Sequence, residues 1–205
     1  MLTLFLKGLA FGFVLAATVG PMWLLCLRRT LSAGVLSGFV SGMGIAVADA
    51  LYGAIAAFGL TALTSFLLAQ QAWLALGGSG YLLWLGAKSL LANPTPLEAR
   101  ADAPSPSGLA AGFLSTLGLT LSNPPTILAF VAIFAGLGLG ANASYGAASW
   151  IVLGVFLGSA LWWLILAAVA GTLRGRLSPR ILRAINIVSG LTILGFAFWQ
   201  LARLV

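Results

Sequence analysis

Residues 34 to 60 read GVLSGFVSGMGIAVADALYGAIAAFGL, an almost wholly apolar run whose single charged residue is Asp49. A helix needs about 20 apolar residues to cross the hydrocarbon core of a membrane, and this run is long enough. It does not alternate apolar and polar residues, as a strand of an outer-membrane barrel would. The run therefore predicts a membrane-spanning helix that carries one buried carboxylate.

Five further runs of similar length and composition lie on either side of this one. Together they predict an all-α integral membrane protein with six transmembrane helices. We place these spans at residues 2–27, 34–60, 66–91, 109–139, 145–173 and 181–204.

The composition of the whole chain agrees with a membrane protein. Only 6% of the 205 residues are charged, against about 25% in soluble domains. The chain has no histidine and one cysteine, which excludes Ser-His and Cys-His nucleophile pairs, imidazole zinc sites and paired-thiol redox relays. We expect no cofactor, no bound metal and no nucleic-acid partner, and an intramembrane enzyme is the least favoured interpretation.

The distribution of positive charge predicts the orientation. Eight of the ten Lys and Arg residues fall in the first, third and fifth connections, while the other two lie near the chain ends. Cytoplasmic loops carry the excess of Lys and Arg, so these three connections should be cytoplasmic and both termini should lie outside. The eight are Arg28, Arg29, Lys88, Arg100, Arg174, Arg176, Arg180 and Arg183.

The chain divides into two similar halves. Residues 93–107, NPTPLEARADAPSPS, predict an extended cytoplasmic linker between residues 1–92 and 108–205. Each half has three predicted helices, so the second half enters the membrane from the opposite side and the halves form an inverted repeat. The matches are GLAFGF (8–13) with GLAAGF (108–113), Gly20-Pro21 with Asn123-Pro124, Gly44 and Ala50-Leu51 with Gly154 and Ala160-Leu161, and Ser79-Gly80 with Ser189-Gly190.

Two predicted spans are interrupted at corresponding places, the first at Gly20-Pro21 and the fourth at Asn123-Pro124. Proline removes a backbone donor and clashes with the preceding turn, so each span should break there. Paired breaks are typical of transporter binding sites, where the N-terminus of a half-helix attracts a carboxylate and freed carbonyls hold a cation. The alternative is that these prolines only bend the helices for packing.

Asp49 is the ionisable residue that lies deepest within a predicted span. Burying a carboxylate there costs about 2.5 to 3.5 kcal/mol, and such residues usually mark an ion or substrate path. The repeat sets Ser159 opposite Asp49, and Tyr52, one turn further on, is a candidate to bind Asp49 or a substrate. The alternatives are a static hydrogen bond or ion pair for Asp49 and a packing role for Tyr52.

Four motifs in order resemble the LysE/RhtB family of amino-acid exporters, and the resemblance covers essentially the whole chain. It implies a transporter in the bacterial inner membrane that exports amino acids or related small metabolites by using the proton gradient. The motifs are Gly20-Pro21, SGMGIAVADALYG (41–53), YLLWLGAK (81–88) and TLSNPPTIL (120–128).

The family's site residues carry over to five positions of this sequence: Gly20 and Pro21, the acid Asp49, and Asn123 with Pro124. The chain departs from the family where many members have lysine after Asn-Pro, because this position is Pro125. Without that cation, backbone amides remain to hold a substrate carboxylate.

These features lead to the hypothesis of a proton-coupled antiporter whose partners are an amino-acid-like substrate, protons and the lipid bilayer. The alternatives are a non-transporting membrane assembly module and, within transport, a cation or metal exporter. The sequence does not identify the substrate, and it leaves a homo-oligomer open.

Overall fold

The structure, a computed structural model, describes residues 1–58, 66, 69–92, 105–123, 126, 129–130, 145–174 and 177–204. Within these residues the chain forms helices and no strand, which confirms the predicted all-helical class. The helices, numbered in chain order, are α1 (Leu2–Ala17), α2 (Pro21–Ala33), α3 (Val35–Ala57), α4 (Gln71–Leu91), α5 (Pro106–Leu121), α6 (Tyr145–Leu173) and α7 (Pro179–Ala202).

Among the described helices, α3, α6 and α7 are each long and apolar enough to cross a membrane. The pair α1 and α2 meets the same test as one bent span, and α5 is a shorter apolar helix. The chain is thus an integral membrane protein, as its composition predicted. The six-span arrangement stays a prediction, since much of the predicted fourth span lies outside the described residues.

The predicted break at Gly20-Pro21 is confirmed. Helix α1 ends at Ala17, α2 begins at Pro21, and the two axes are bent by 77°. In a continuous helix the Pro21 ring would clash with the carbonyl of Ala17, whereas proline fits the first position of a new helix. The extended backbone of Gly20 makes the turn between the two helices.

The predicted end of the first span, at residue 27, is too early. Helix α2 continues through Arg28 and Arg29 and ends at Ala33, just before Gly34. Gly34 has φ +95°, a left-handed conformation that favours glycine. The predicted connection is therefore reduced to this one residue between α2 and α3.

The charge of Arg29 is accommodated within this helical region by hydrogen bonds to two neighbouring helices. It donates hydrogen bonds to the Ser41 hydroxyl (3.1 Å), the Gly112 carbonyl (2.9 Å) and the Ser115 hydroxyl (2.8 Å). These partners belong to α3 and α5, so Arg29 ties α2 to both helices.

Helices α1 and α6 pack closely through glycines on both sides of their interface. A side chain at Gly8 or Gly12 would meet the backbone of α6, and one at Gly154 or Gly158 would meet the backbone of α1. Small residues let membrane helices approach in this way, since lipid provides no hydrophobic force between them. Helix α3 packs against both α5 and α6, and α4 packs against α7.

Candidate functional site

Asp49 lies at the interface of α3 and α6 and is almost completely buried, with 2% of its surface exposed. The fully buried hydroxyl of Ser159 donates a hydrogen bond to Asp49 Oδ2 at 2.8 Å. The predicted repeat aligns Ser159 with Asp49, and the structure brings the two side chains into direct contact. This contact is a hydrogen bond of the kind that was the alternative to an ion or substrate path for Asp49. A serine hydroxyl can donate to an ionised carboxylate or accept from a protonated one, so this pairing is compatible with both states of Asp49.

A cavity of about 340 Å³ lies beside Asp49. Gly20 and Pro21 from the α1–α2 break line it, and so does Asn123, which follows the end of α5. The structure therefore brings both predicted interruptions and the buried acid to one space. Its volume lies at the small end of ligand pockets, which are about 300–1,000 Å³, and suits a single small metabolite.

The second interruption is described up to Asn123. Helix α5 ends at Leu121, as expected ahead of prolines, while Pro124 and Pro125 lie outside the described residues. The Asn123 carbonyl accepts a hydrogen bond from the Thr126 amide at 3.0 Å, and the Asn123 side-chain amide donates to the Thr126 hydroxyl at 2.8 Å. These contacts fix Asn123 in a turn beside the cavity.

Tyr52 holds the end of α5 instead of contacting Asp49. Its hydroxyl donates a hydrogen bond to the carbonyl of Leu121 at 2.6 Å, and its ring packs on Phe130. It is buried and does not line the cavity. The hydroxyl of Tyr52 thus positions the second interruption and its ring has the packing role that was the alternative for this residue, while substrate binding by Tyr52 stays a prediction.

Three residues that sequence reasoning did not single out also line the cavity: Trp23, Thr120 and Trp163. Both indole nitrogens, the Thr120 hydroxyl and the side-chain oxygen of Asn123 are buried without a hydrogen-bond partner among the described residues. Their position offered a signal, because Trp23 follows the Pro21 break by two residues and Trp163 lies one helical turn beyond Ser159.

The electrostatics of the cavity are dominated by a single side chain. Among the described residues that line it, Asp49 is the only charged one. Gly20 supplies no side-chain cap to the N-terminus of α2, so the first amides of that helix lack a capping oxygen from their own chain segment. The lining thus includes one acid and the positive end of a helix dipole.

Comparison with known proteins gives consistent matches along the chain. A protein named as an amino acid efflux protein, YcgF of Bacillus subtilis, is 28% identical over 205 residues, which is 97% of this chain and 95% of YcgF. The chemotactic transduction protein ChpE of Pseudomonas aeruginosa is 30% identical over 201 residues, or 96% of this chain and 97% of ChpE. A leucine efflux protein of Klebsiella pneumoniae is 33% identical over 118 residues, 56% of this chain and 54% of that protein.

No solved structure gives a significant match. The profile of the LysE type translocators matches residues 13–203, which include the α1–α2 break, Asp49 and the end of α5. This match confirms the resemblance that the four motifs indicated. The chain belongs to the LysE type translocator family.

Proposed function

We propose that this protein exports amino acids or related small metabolites from the bacterial cytoplasm in exchange for protons. Its family is one of translocators, and relatives named for efflux of amino acids and of leucine support an exporter. The observation that carries the proposal is the cavity at which one buried carboxylate meets two interrupted helices.

The cavity supports a division of roles between its two sides. The substrate carboxylate lies at the N-terminus of α2, beside Gly20 and Pro21, and near the turn at Asn123-Pro124. Asp49 binds either the substrate ammonium or a proton. One carboxylate in an apolar site can be neutralised by either cation but by only one at a time, and this competition produces exchange.

The proposed exchange requires the cavity to open alternately to the two sides of the membrane, which an inverted repeat of residues 1–92 and 108–205 provides. In the repeat, α1 corresponds to α5 and α3 corresponds to α6. The contact of α1 with α6 therefore has its counterpart in the contact of α5 with α3, and both helix pairs pack together. The packing of both helix pairs supports the repeat.

The orientation follows from the positive charges, and we place residues 93–107 in the cytoplasm and both termini outside the inner membrane. Reporter domains fused after Arg100 and after Asn142 should report the cytoplasm and the exterior, respectively. The opposite pattern would reverse the direction of transport that we assign.

The function is tested with the purified chain in liposomes. An acidic lumen mimics the exterior of the cell, so it should drive uptake of a labelled amino-acid mixture severalfold above the rate without a pH gradient. A protonophore should remove the increase, and protein-free liposomes give the background. Absence of uptake and of exchange under both conditions would contradict the proposal.

The same measurement addresses the alternative of a non-transporting membrane module. One relative of nearly full length, ChpE, is named for chemotactic transduction rather than for efflux. In such a protein Asp49 would serve contacts with another subunit, and the purified chain would move no solute. Proton-driven uptake by the chain alone would exclude this function.

A further inference from the structure

Four buried polar atoms without a hydrogen-bond partner among the described residues belong to residues that line one cavity: the indole nitrogens of Trp23 and Trp163, the Thr120 hydroxyl oxygen and Asn123 Oδ1. A buried polar group without a partner costs about 1–3 kcal/mol, so such groups are rare and call for an explanation. They are half of the eight such atoms among the described residues, and a molecule bound in the cavity would supply their partners.

The two indole nitrogens are donors only, so their partner must be an acceptor. Trp23 is the third residue of α2, and Trp163 enters the cavity from α6. Trp23 therefore lies in the first turn of α2, where the positive end of the helix dipole attracts negative charge, and Trp163 lines the same cavity. Two indole N–H groups without partners in the described part of the chain, one of them in the first turn of a helix, suit a carboxylate.

The position of Trp163 is fixed by its neighbours. The residue is 2% exposed, and a side chain at Gly42 of α3 would meet its Cβ and Cγ atoms. It lies four residues beyond Ser159, which corresponds to about 6 Å along the helix axis. Ser159 contacts Asp49, and Trp163 and Asp49 line the same cavity, so one amino acid in that cavity has both residues around it.

The acceptor atoms form the complementary group. Asp49, Asn123 Oδ1 and the Thr120 hydroxyl can all accept hydrogen bonds from an ammonium. The rest of the described lining is mainly apolar and includes Leu15, Val19, Met22, Ile45, Ala129 and Phe196. A bound lysine would carry two cationic groups, its α-ammonium and its side chain, whereas the described lining has one acid. A bound glutamate would carry two carboxylates, whereas the described lining has no cation. Burying either charge unpaired would be costly.

We propose that the cavity selects zwitterionic α-amino acids with apolar side chains, and that the indole N–H groups of Trp23 and Trp163 hold the substrate carboxylate. This inference rests on the proposed function, because it names the substrate class and two further specificity residues of that same site.

The first test compares substrates in liposomes that contain the purified protein. Labelled leucine is exchanged against unlabelled leucine, lysine, glutamate or leucinamide, which lacks the carboxylate. We expect leucine to compete at least tenfold more strongly than lysine or glutamate. Preferred exchange of lysine or glutamate that still depends on Asp49 would overturn the inference and leave the proposed function standing, whereas absence of amino-acid exchange would overturn both.

The second test is Trp163→Phe, which keeps an aromatic ring and removes the N–H. A hydrogen bond to a charged group is worth enough that the half-saturation constant for leucine should rise roughly tenfold. Competition by leucinamide should not change, since it has no carboxylate to lose. Trp162→Phe is the matched control, because its indole nitrogen is also buried and unpartnered among the described residues but Trp162 does not line the cavity.

An equal loss of affinity for leucine and leucinamide in Trp163→Phe would overturn the carboxylate role. So would a loss in Trp162→Phe as large as that in Trp163→Phe. If Trp163→Phe does not fold, Trp23→Phe provides the same comparison from α2.

Discussion

Replacing Asp49 with asparagine is expected to abolish proton-driven transport, with a loss of roughly 100-fold or more in uptake driven by an acidic lumen. The amide can neither carry a proton nor balance an ammonium, so it removes both charges that the proposed exchange needs. Truncating one partner of a buried charged pair costs about 3–5 kcal/mol, and about 1.4 kcal/mol corresponds to a factor of ten.

The fold should survive Asp49→Asn. Asparagine has nearly the same shape, and its carbonyl oxygen can still accept the hydrogen bond from Ser159. A neutral amide is also less costly to bury than a carboxylate. We therefore expect a melting temperature in detergent at least equal to that of the unaltered protein.

Glu98→Gln is the matched control for Asp49→Asn, because it removes a carboxylate from the predicted linker rather than from the α3–α6 interface. It should leave transport within twofold of the original rate. Full proton-coupled transport by a folded Asp49→Asn protein would show that this carboxylate is not the coupling group. The proposed mechanism would then be wrong.

The second large effect is expected at the interface of α1 and α6. In Gly158→Ala the added methyl group would meet the Leu9 carbonyl and would lie 2.8 Å from the Phe13 nitrogen. These are backbone atoms that cannot rotate away, so α1 must shift. We expect a destabilisation of about 1–3 kcal/mol, measured as a lower melting temperature and a smaller folded fraction in detergent.

Gly80→Ala separates this packing effect from helix propensity. Both glycines lie inside helices, where alanine is favoured by about 1 kcal/mol, but a side chain at Gly80 would meet no atom within 4 Å. Gly80→Ala should therefore melt at the same or a higher temperature. Equal melting of the two variants would contradict the close packing of α1 against α6.

Local sequence was sufficient to predict the features that depend on residues adjacent along the chain. The missing N–H and the ring of Pro21 predict the α1–α2 break wherever α1 packs. The correspondence of Ser159 to Asp49 in the predicted repeat was also accessible, whereas their direct contact was not, because it depends on how α3 packs against α6.

Other features depend on contacts between residues far apart in sequence, and these were missed. The end of α2 was placed too early because Arg28 and Arg29 resemble a membrane boundary, whereas Arg29 finds its partners on α3 and α5. The binding of Tyr52 to Leu121 requires knowing where α5 ends in space. The indoles of Trp23 and Trp163 are notable only because they are buried without partners beside a cavity.

The contact between Asp49 and Ser159 also bears on the ancestry of the chain. If the two halves descend from one duplicated three-helix unit, their ancestor was a pair of identical chains in which this position faced its own copy. Two aspartates at hydrogen-bond distance would have repelled each other unless they shared a proton, and two serines would have carried no charge. Under that descent, fusion into one gene would let the two copies diverge, so that a single acid keeps the neutral neighbour that Asp49 has in Ser159.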